Sequence, residues 1–212
     1  MAKAGRASRP GQAGGTGSNA TRAALVDAAI ESLRFDGYAG ASARAIAARA
    51  GSNQSLVFYH FGSVAELLLA ALDEVSERRL HRYSAAVDGV ESPTDLVRAA
   101  TEIFREDLDG GYVTVLVEMI AGTAASPELG ERVARRIAPW RAFAQNAIEA
   151  AVADSPFASL IPVADAAYAV VALYLGMEML SNLDGDRTAA LSLFDQAGRV
   201  ATLFAGATQE AR

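Results

Sequence analysis

The stretch SARAIAARAGSNQSLVFYHF, residues 42–61, decides the fold of this chain. Its apolar side chains recur at helical spacing on both sides of Gly51, which predicts two short helices separated by a turn. Ser42 and Asn53 stand where these helices begin, and their side chains suit the capping of free backbone N–H groups. Two short helices joined by a glycine turn form the pattern of a helix-turn-helix motif.

The outward positions of this motif suit a polyanion. Side chains that donate hydrogen bonds recur along it, and no Asp or Glu occurs between Asp36 and Glu66. The alternative is a pair of solvated helices in a protein that never contacts DNA. The caps, the turn and the missing acids together favour a phosphate backbone as the partner.

The net charge of -6 is distributed unevenly along the chain. Residues 1–60 hold seven basic and three acidic side chains, whereas residues 61–212 hold twelve basic and twenty-two acidic ones. The first part therefore suits nucleic acid, and the acidic remainder would help to orient it. The chain has no cysteine, and His60 and His81 are far apart, so we expect no metal ion and no other cofactor.

Composition and periodicity divide the chain into three parts. Residues 1–18 are poor in large apolar side chains and predict a disordered basic tail, which is either inert or reaches a DNA minor groove. Residues 19–66 predict a helix-turn-helix domain whose first helix, capped by Asn19 or Thr21, packs on the motif. Residues 67–212 predict a larger helical domain, with a fourth helix running on to about residue 87.

Two features of the larger domain carry specific expectations. Pro139 falls within a predicted helix, so we expect a kink or a break there. The last two predicted helices, residues 162–183 and 186–204, are strongly apolar and carry small residues at helical spacing. They predict a homodimer interface of four helices, two from each subunit, although they could instead finish the core of the monomer.

The sequence gives no expectation of a membrane. No apolar run reaches the roughly 18–20 residues that a bilayer span requires, and residues 168–177 come closest. The N-terminus lacks the apolar stretch of a signal peptide. We therefore expect a cytoplasmic protein.

With these elements placed, residues 21–68 resemble the DNA-binding domain of the TetR family of transcriptional regulators. The resemblance implies an all-α fold, in which an N-terminal three-helix helix-turn-helix domain precedes a larger helical ligand-binding and dimerisation domain. One position departs from the usual pattern of the family: Val64 stands where the family often has a lysine that contacts a phosphate. The residues that carry the resemblance are Ser42, Arg44, Ile46, Ala47, Ala50, Gly51, Phe58, Tyr59, His60, Phe61 and Ser63.

The resemblance and the docking geometry of the motif together imply the DNA contacts. The second helix of the motif would lie in the major groove, with Gln54 and Ser55 towards base edges and Leu56 near a thymine methyl group. His60 could equally be bonded inside the domain, and Phe58 and Phe61 are assigned to packing. The predicted DNA-binding residues are Thr21, Ser42, Arg44, Asn53, Gln54, Ser55, Leu56, Tyr59, His60 and Ser63.

The resemblance also implies a small-molecule effector held by the second domain. Glu118 and Glu178 are the most informative candidates, because a carboxylate in an apolar helix needs a partner, a ligand or water. In a pocket they would favour a cationic or hydroxyl-bearing ligand, whereas pairing with Arg136 or Arg141 would make them structural. The candidate ligand-binding residues, each of which could also be core, are Phe104, Tyr112, Glu118, Met119, Trp140, Phe143, Tyr168, Tyr174, Met177 and Glu178.

These observations predict a ligand-responsive transcriptional regulator, which is not an enzyme. Its partners would be a palindromic double-stranded DNA operator, bound by a homodimer through the last two helices, and a small molecule that releases a repressor from DNA. One alternative is a helical enzyme that uses Glu118 and His81, and another is a helical scaffold that does not bind DNA. The sequence shows no metal-ligand spacing, nucleophile motif or phosphate loop that would favour the enzyme.

Overall fold

The computed structural model of the chain describes residues 13–124, 126–155 and 158–210. These residues form nine α-helices and one short 3-10 helix, Ala158–Leu160, with no strand among them, so the predicted all-α fold is confirmed. The α-helices are α1 (Ala13–Gly40), α2 (Ala43–Arg49), α3 (Gln54–Phe61), α4 (Val64–Val87), α5 (Pro93–Gly110), α6 (Tyr112–Thr123), α7 (Pro127–Val152), α8 (Val163–Asp184) and α9 (Thr188–Glu210).

The chain divides into two compact units, and the division falls within α4. Unit 1 ends at Ala71 and contains α1 to α3, whereas unit 2 begins at Leu72 and contains α5 to α9. The helix-turn-helix motif and the apolar helices of the second half of the sequence therefore belong to separate units.

The core of unit 1 is built where the sequence pattern places it. Leu25 and Leu33 of α1, Ile46 of α2, Val57 of α3 and Leu67 of α4 are all completely buried. Burying each of these side chains contributes about 1.5–3 kcal/mol to the stability of the fold. Helix α1 packs on α2, and α2 packs on α3, so the first helix supplies the core that the two short helices lack.

The first helix begins earlier than the sequence analysis expected. Helix α1 starts at Ala13, so residues 13–18 of the predicted tail are helical, while residues 1–12 lie outside the described part of the chain. Neither expected cap lies at the helix start, and the Thr21 hydroxyl instead donates to the Gly17 carbonyl oxygen across 2.9 Å. Extending an existing helix adds one backbone hydrogen bond for each residue fixed and needs no new nucleus.

Of the kink or break expected at Pro139, the break does not occur. Helix α7 runs without interruption from Pro127 to Val152, with Pro139 in its interior. Leu129 and Val133 before the proline, and Ala147 after it, are buried against the rest of unit 2. This packing on both sides of the proline holds the helix together although one backbone hydrogen bond is lost.

Unit 2 is arranged around α5, which contacts α6, α7, α8 and α9. Phe104 of α5 is completely buried and forms a core cluster with Leu108, Met177 and Ala190. The ring of Phe104 meets the ring of Tyr174 edge-on, with centroids 5.5 Å apart. Helix α8 is thereby fixed against α5 along the part that carries Tyr174 and Met177.

Much of α8 is nevertheless uncovered in the single chain. The segment Val163–Leu183, 21 residues with a mean hydropathy of 1.5, is long and apolar enough to cross a bilayer by length and composition, contrary to our expectation. Only 17% of its most apolar window is buried. One such helix is weak evidence for a membrane, because helices of soluble proteins also meet these criteria.

Candidate DNA-binding surface and effector cavity

The two helices of the motif begin and end through the side chains that the sequence singles out. The Ser42 hydroxyl accepts a hydrogen bond from the Ala45 N–H (3.2 Å), and Asn53 Oδ1 accepts one from the Ser55 N–H (2.9 Å). Gly51 has a positive φ of 60°, which side chains other than glycine rarely adopt. Both predicted caps and the glycine turn are confirmed.

The exposed face of the motif carries hydrogen-bonding groups and no acid. Arg44, Gln54 and Ser55 are exposed, and Tyr59 is 78% exposed. Arg44 forms no ion pair with any residue that the structure describes. The Ser55 hydroxyl donates to Asn53 Oδ1 across 3.1 Å, so its single hydrogen is used within the motif.

Arg49, on the same short helix as Arg44, is used differently. Its guanidinium donates to the Ser32 hydroxyl (2.6 Å) and to Asp36 Oδ2 (2.7 Å) of α1, and lies 3.6 Å from Glu31. The hydrogen bond to Asp36 raises the pKa of Arg49 above its ordinary value. Sequence reasoning counted Arg49 only as part of the basic charge, although two acids near the end of α1 were a signal for this contact.

Other predicted DNA-binding side chains have identified contacts inside unit 1. The Ser63 hydroxyl accepts a hydrogen bond from the Glu66 N–H (3.2 Å) at the start of α4. His60 is half-buried, and its ring lies edge-on to the rings of Tyr59 (5.0 Å) and Phe61 (6.3 Å). These contacts position the side chains, and their contact with DNA stays a prediction.

Three further residues refine the surface. Leu56 is half-buried, so part of its side chain is available to a base, whereas Phe58 is 47% exposed and is not the simple packing residue that we assigned. The guanidinium of Arg22 lies over the Phe61 ring, 5.0 Å from its centroid. Arg22 is exposed beside the motif, and the sequence analysis did not include it.

Unit 2 contains a cavity of about 300 Å³. Side chains from each helix from α4 to α9 line it, and nearly all of them are aliphatic or aromatic. Of the candidate ligand-binding residues, Trp140, Phe143, Tyr174 and Met177 lie on its wall. The cavity is suited to an apolar body, because its wall offers few groups that a polar ligand could bond.

The remaining candidates lie elsewhere. Phe104 and Met119 are completely buried in the core and do not line the cavity, whereas Tyr168 is 62% exposed. Glu118 is half-buried and also away from the cavity wall. The side chain of Tyr112 lies outside the part of the chain that the structure describes. Aromatic and methionine side chains alone did not separate core from cavity, because both environments select the same residue types.

A buried polar network closes one part of the cavity wall. Arg79, Tyr83 and Tyr174 all line the cavity, and all three donate hydrogen bonds to Asp107 Oδ2. Arg79 also donates to the Tyr83 hydroxyl through Nε (3.0 Å) and Nη2 (2.6 Å). Asp107 is 1% exposed, and this burial raises its pKa although Arg79 opposes the shift.

The sequence analysis missed this network. Arg79, which would be expected on a solvated helix face because of its charge, is only 8% exposed. A signal was present, because Arg79 and Tyr83 continue the helical stripe that begins with the apolar Leu72 and Val75. No pattern in the sequence pointed to Asp107 as their partner.

Glu178 is a second buried acid, one helical turn beyond Tyr174. It is completely buried, and neither of its carboxylate oxygens has a hydrogen-bond partner among the described residues. Burial, followed by the charge of Asp107, raises the pKa of Glu178 to about 7. The two arginines proposed as its partners are engaged elsewhere, since Arg136 pairs with Asp73 (2.6 Å) and Arg141 lies over an exposed tyrosine ring (5.8 Å).

Comparison with known proteins is consistent with this geometry. Residues 25–71 match the family model described as bacterial regulatory proteins, tetR family. The chain is 35% identical over 111 residues to the HTH-type transcriptional repressor Rv3405c of Mycobacterium tuberculosis, covering 51% of this chain and 58% of the relative. It is 29% identical over 101 residues to the nicotine-responsive transcriptional repressor HdnoR of Paenarthrobacter nicotinovorans, covering 48% and 52%.

The fold is shared with solved structures. A putative TetR-family transcriptional regulator from Rhodococcus sp. superposes with a TM-score of 0.72 and 22% identity, covering 85% of this chain and 98% of that one. A capped helix-turn-helix unit followed by a helical unit with a cavity defines the class of helix-turn-helix transcriptional regulators. Within that class, residues 25–71 match the tetR family of bacterial regulatory proteins, and the chain as a whole shares its fold with a TetR-family structure.

Proposed function

We propose that this chain is a ligand-responsive repressor, which binds a palindromic operator as a homodimer and leaves it when a small molecule occupies the cavity of unit 2. The observation that carries the proposal is the exposed, acid-free face of α2 and α3. Helix α3 would enter the major groove, with Gln54 and Ser55 towards base edges and Arg44 reaching from α2. The relative Rv3405c is a transcriptional repressor, which supports repression as the outcome.

The phosphate contacts would fall around the recognition helix. Tyr59, with its exposed hydroxyl, is the clearest candidate, and Arg22 beside Phe61 adds a basic group. These contacts would hold the motif in register on the duplex but carry no sequence information. Val64 offers no charge at the start of α4, so the basic groups of α1 and α2 carry more of the electrostatic attraction.

The dimer would form through the exposed faces of α8 and α9. On α8, Leu173, Leu180 and Leu183 are 55%, 63% and 80% exposed, and on α9 Leu203 is 75% exposed. A cluster of uncovered apolar side chains of this size marks an interaction surface, and a second copy of the same two helices would cover it. This exposure argues against the alternative that α8 and α9 only complete the core of one chain.

The cavity of unit 2 would hold the effector. HdnoR is nicotine-responsive, which supports a small-molecule signal for this chain as well. Binding alone would not release the operator, because a ligand shifts an equilibrium only by its unequal affinity for the two forms. We propose a cytoplasmic location, where the operator DNA lies.

Selection from a random duplex library tests the proposal. The full chain is expected to enrich a palindromic sequence, and its affinity for the enriched duplex should fall steeply as salt rises. Arg44→Met should weaken this binding, whereas Arg98→Met, which removes an exposed charge paired with Asp95 in unit 2, should not. Failure to bind any duplex in a salt-dependent way would overturn the assignment.

A further inference from the structure

We propose that the cavity of unit 2 selects an apolar amine, meaning a ligand with a hydrocarbon body and one protonated nitrogen whose charge is balanced by Glu178. The inference rests on the proposed function only in taking this cavity as the effector site. Three features support it: the apolar wall of the cavity, the contacts that Arg79 already makes, and the absence of a hydrogen-bond partner for Glu178 among the described residues.

The apolar wall of the cavity indicates that the body of the ligand is a hydrocarbon. Four of the lining helices contribute purely aliphatic side chains, such as Val75, Ile103, Ile148 and Val171. Trp140 and Phe143 add aromatic surface. A polar or multiply charged ligand would lose its hydration there without gaining hydrogen bonds. The only concentration of polar atoms on the wall is the part formed by Arg79, Tyr83 and Tyr174.

An acidic head group is disfavoured, although an arginine lines the cavity. The Arg79 guanidinium donates to Asp107 and to the Tyr83 hydroxyl, and its charge is neutralised by Asp107. A carboxylate or phosphate would have to displace Asp107 from Arg79. It would also approach the second acid, Glu178, so two negative charges would face it.

Glu178 supplies a buried carboxylate that forms no hydrogen bond with any described residue. The groups around it are Asp107 on α5, Arg79 on α4, Arg187 just before α9 and Tyr174 on its own helix. Arg79 is balanced by Asp107, and Arg187 donates to the Leu108 carbonyl oxygen (3.1 Å). An ionised Glu178 therefore has no hydrogen-bonded counterion among the described residues, and the positive charge of Arg187 acts on it only from a distance.

The Tyr174 hydroxyl lies close enough to Glu178 to lower its pKa, but it is engaged with Asp107. A phenol has one hydrogen, and Tyr174 donates it to Asp107. Both oxygens of Glu178 therefore remain without a donor among the described residues, which a buried carboxylate tolerates only by taking up a proton or by meeting a cation. The pKa of about 7 shows that these two outcomes are close in free energy near neutral pH.

Glu178 is not itself on the cavity wall, but it is the helical neighbour of a residue that is. Tyr174 lines the cavity, and residues four apart on a helix are neighbours, with Cβ atoms about 5–6 Å apart. An ammonium group at the Tyr174 end of the cavity would lie close to the carboxylate in a region of low dielectric, where charges interact strongly. The amine thus replaces the proton that Glu178 otherwise retains.

Three probes that share a phenyl group and a four-carbon chain test the inference: phenylbutylamine, phenylbutanol and phenylpentanoate. In calorimetric titrations of the full chain without DNA, the amine is expected to bind about tenfold or more tightly than the alcohol, and the carboxylate most weakly. Equal binding of amine and alcohol, tightest binding of the carboxylate, or no binding of the amine would each overturn the inference.

Two variants locate the charge. Glu178→Gln keeps the shape of the side chain and should abolish the preference for the amine, while Glu118→Gln, a carboxylate away from the cavity, should keep it. Near pH 6, amine binding should release about one proton from the original chain and none from Glu178→Gln, as measured in buffers of different ionisation enthalpy. Unchanged preference and unchanged proton release in Glu178→Gln would contradict the assignment.

Failure of this inference can be told from failure of the proposed function. A chain that binds its selected duplex but shows no preference for the amine keeps its role as a regulator and loses only the amine assignment. A chain that prefers the amine through Glu178 but binds no duplex keeps the ligand assignment and loses the role as a regulator.

Discussion

Arg49 of α2 donates a hydrogen bond to Asp36 of α1 across 2.7 Å, and this contact fastens the first helix of the motif to the helix beneath it. The buried Ser32 hydroxyl receives a second hydrogen bond from the same guanidinium. Arg44, five positions earlier in the same helix α2, is exposed and forms no such contact with the described residues. The two arginines therefore have separable roles, one in holding the motif and one in meeting DNA.

Replacing each arginine by methionine should separate these roles. Arg49→Met is expected to lower the thermal midpoint of unfolding, because it removes the hydrogen bonds to Ser32 and Asp36. Arg44→Met should leave the midpoint unchanged and weaken duplex binding. Thermal unfolding followed by circular dichroism, with duplex titration in parallel, makes the measurement. The reverse pattern would show that these two roles are wrongly assigned.

Gln54 is expected to read a base rather than a phosphate. Gln54→Ala should weaken binding to the selected operator by about 1–3 kcal/mol and relax the preference at one position, whereas Tyr59→Phe should weaken binding to all sequences alike. Both variants are titrated against the operator and a scrambled duplex of equal length. Equal losses on the two duplexes for Gln54→Ala would remove Gln54 from the base-reading set.

A charge placed on the exposed face of α8 should prevent dimerisation. Leu180→Glu would place an unpaired carboxylate within the proposed interface, so the variant is expected to sediment as a monomer at micromolar concentration. Leu160→Glu, at a site that is also largely exposed but lies outside α8 and α9, should leave the dimer intact. A dimeric Leu180→Glu would show that other residues form the interface.

Asp107 is expected to matter most for the stability of unit 2. Asp107→Asn leaves the Arg79 charge buried without its counterion, which should lower the free energy of unfolding by about 3–5 kcal/mol. The neighbouring Glu106→Gln, which removes an exposed acid 3.7 Å from Arg82, should change it by less than about 1 kcal/mol. Denaturant unfolding at pH 7 measures both, and similar values would contradict the distinction between the two ion pairs.

The buried Glu178 should make the protein less stable as pH rises. Its pKa is about 7 in the folded chain and close to the ordinary 4.5 once unfolded, so between these values the folded chain binds the extra proton. Stability contributed by that proton is full at low pH and is lost as pH rises towards 7. The stability advantage of Glu178→Gln over the original chain should therefore grow by about 3 kcal/mol between about pH 4 and pH 8. Parallel stability curves would show that folding does not raise the pKa of Glu178.

The motif could be predicted from sequence because its signals are local. Ser42, Asn53 and Gly51 each act within four residues, so their roles as caps and turn were readable without knowledge of the tertiary structure. The start of α1 could not be predicted in this way, because the residues before Asn19 have weak helix propensity. The helix extends through them once it has formed.

The cavity could be predicted only in part because its polar network is not local. Arg79 and Tyr83 share a helix face, but Asp107 and Tyr174 reach them from other helices, and no spacing in the sequence records that meeting. Trp140 and Phe143 were identified by residue type, and the same criterion also selected the core residue Phe104. The apolar helix around Glu178 indicated that its carboxylate needs a partner, a ligand or water, and only the structure excludes Arg136 and Arg141 as that partner.

The hydrogen bond from the Ser55 hydroxyl to Asn53 limits what this serine can recognise. With its hydrogen already donated, Ser55 presents only lone pairs to the major groove. Lone pairs match the exocyclic amino groups of adenine and cytosine and not the carbonyl oxygens of guanine and thymine. The operator base that faces Ser55 should thus be adenine or cytosine, and this restriction comes from the cap of α3.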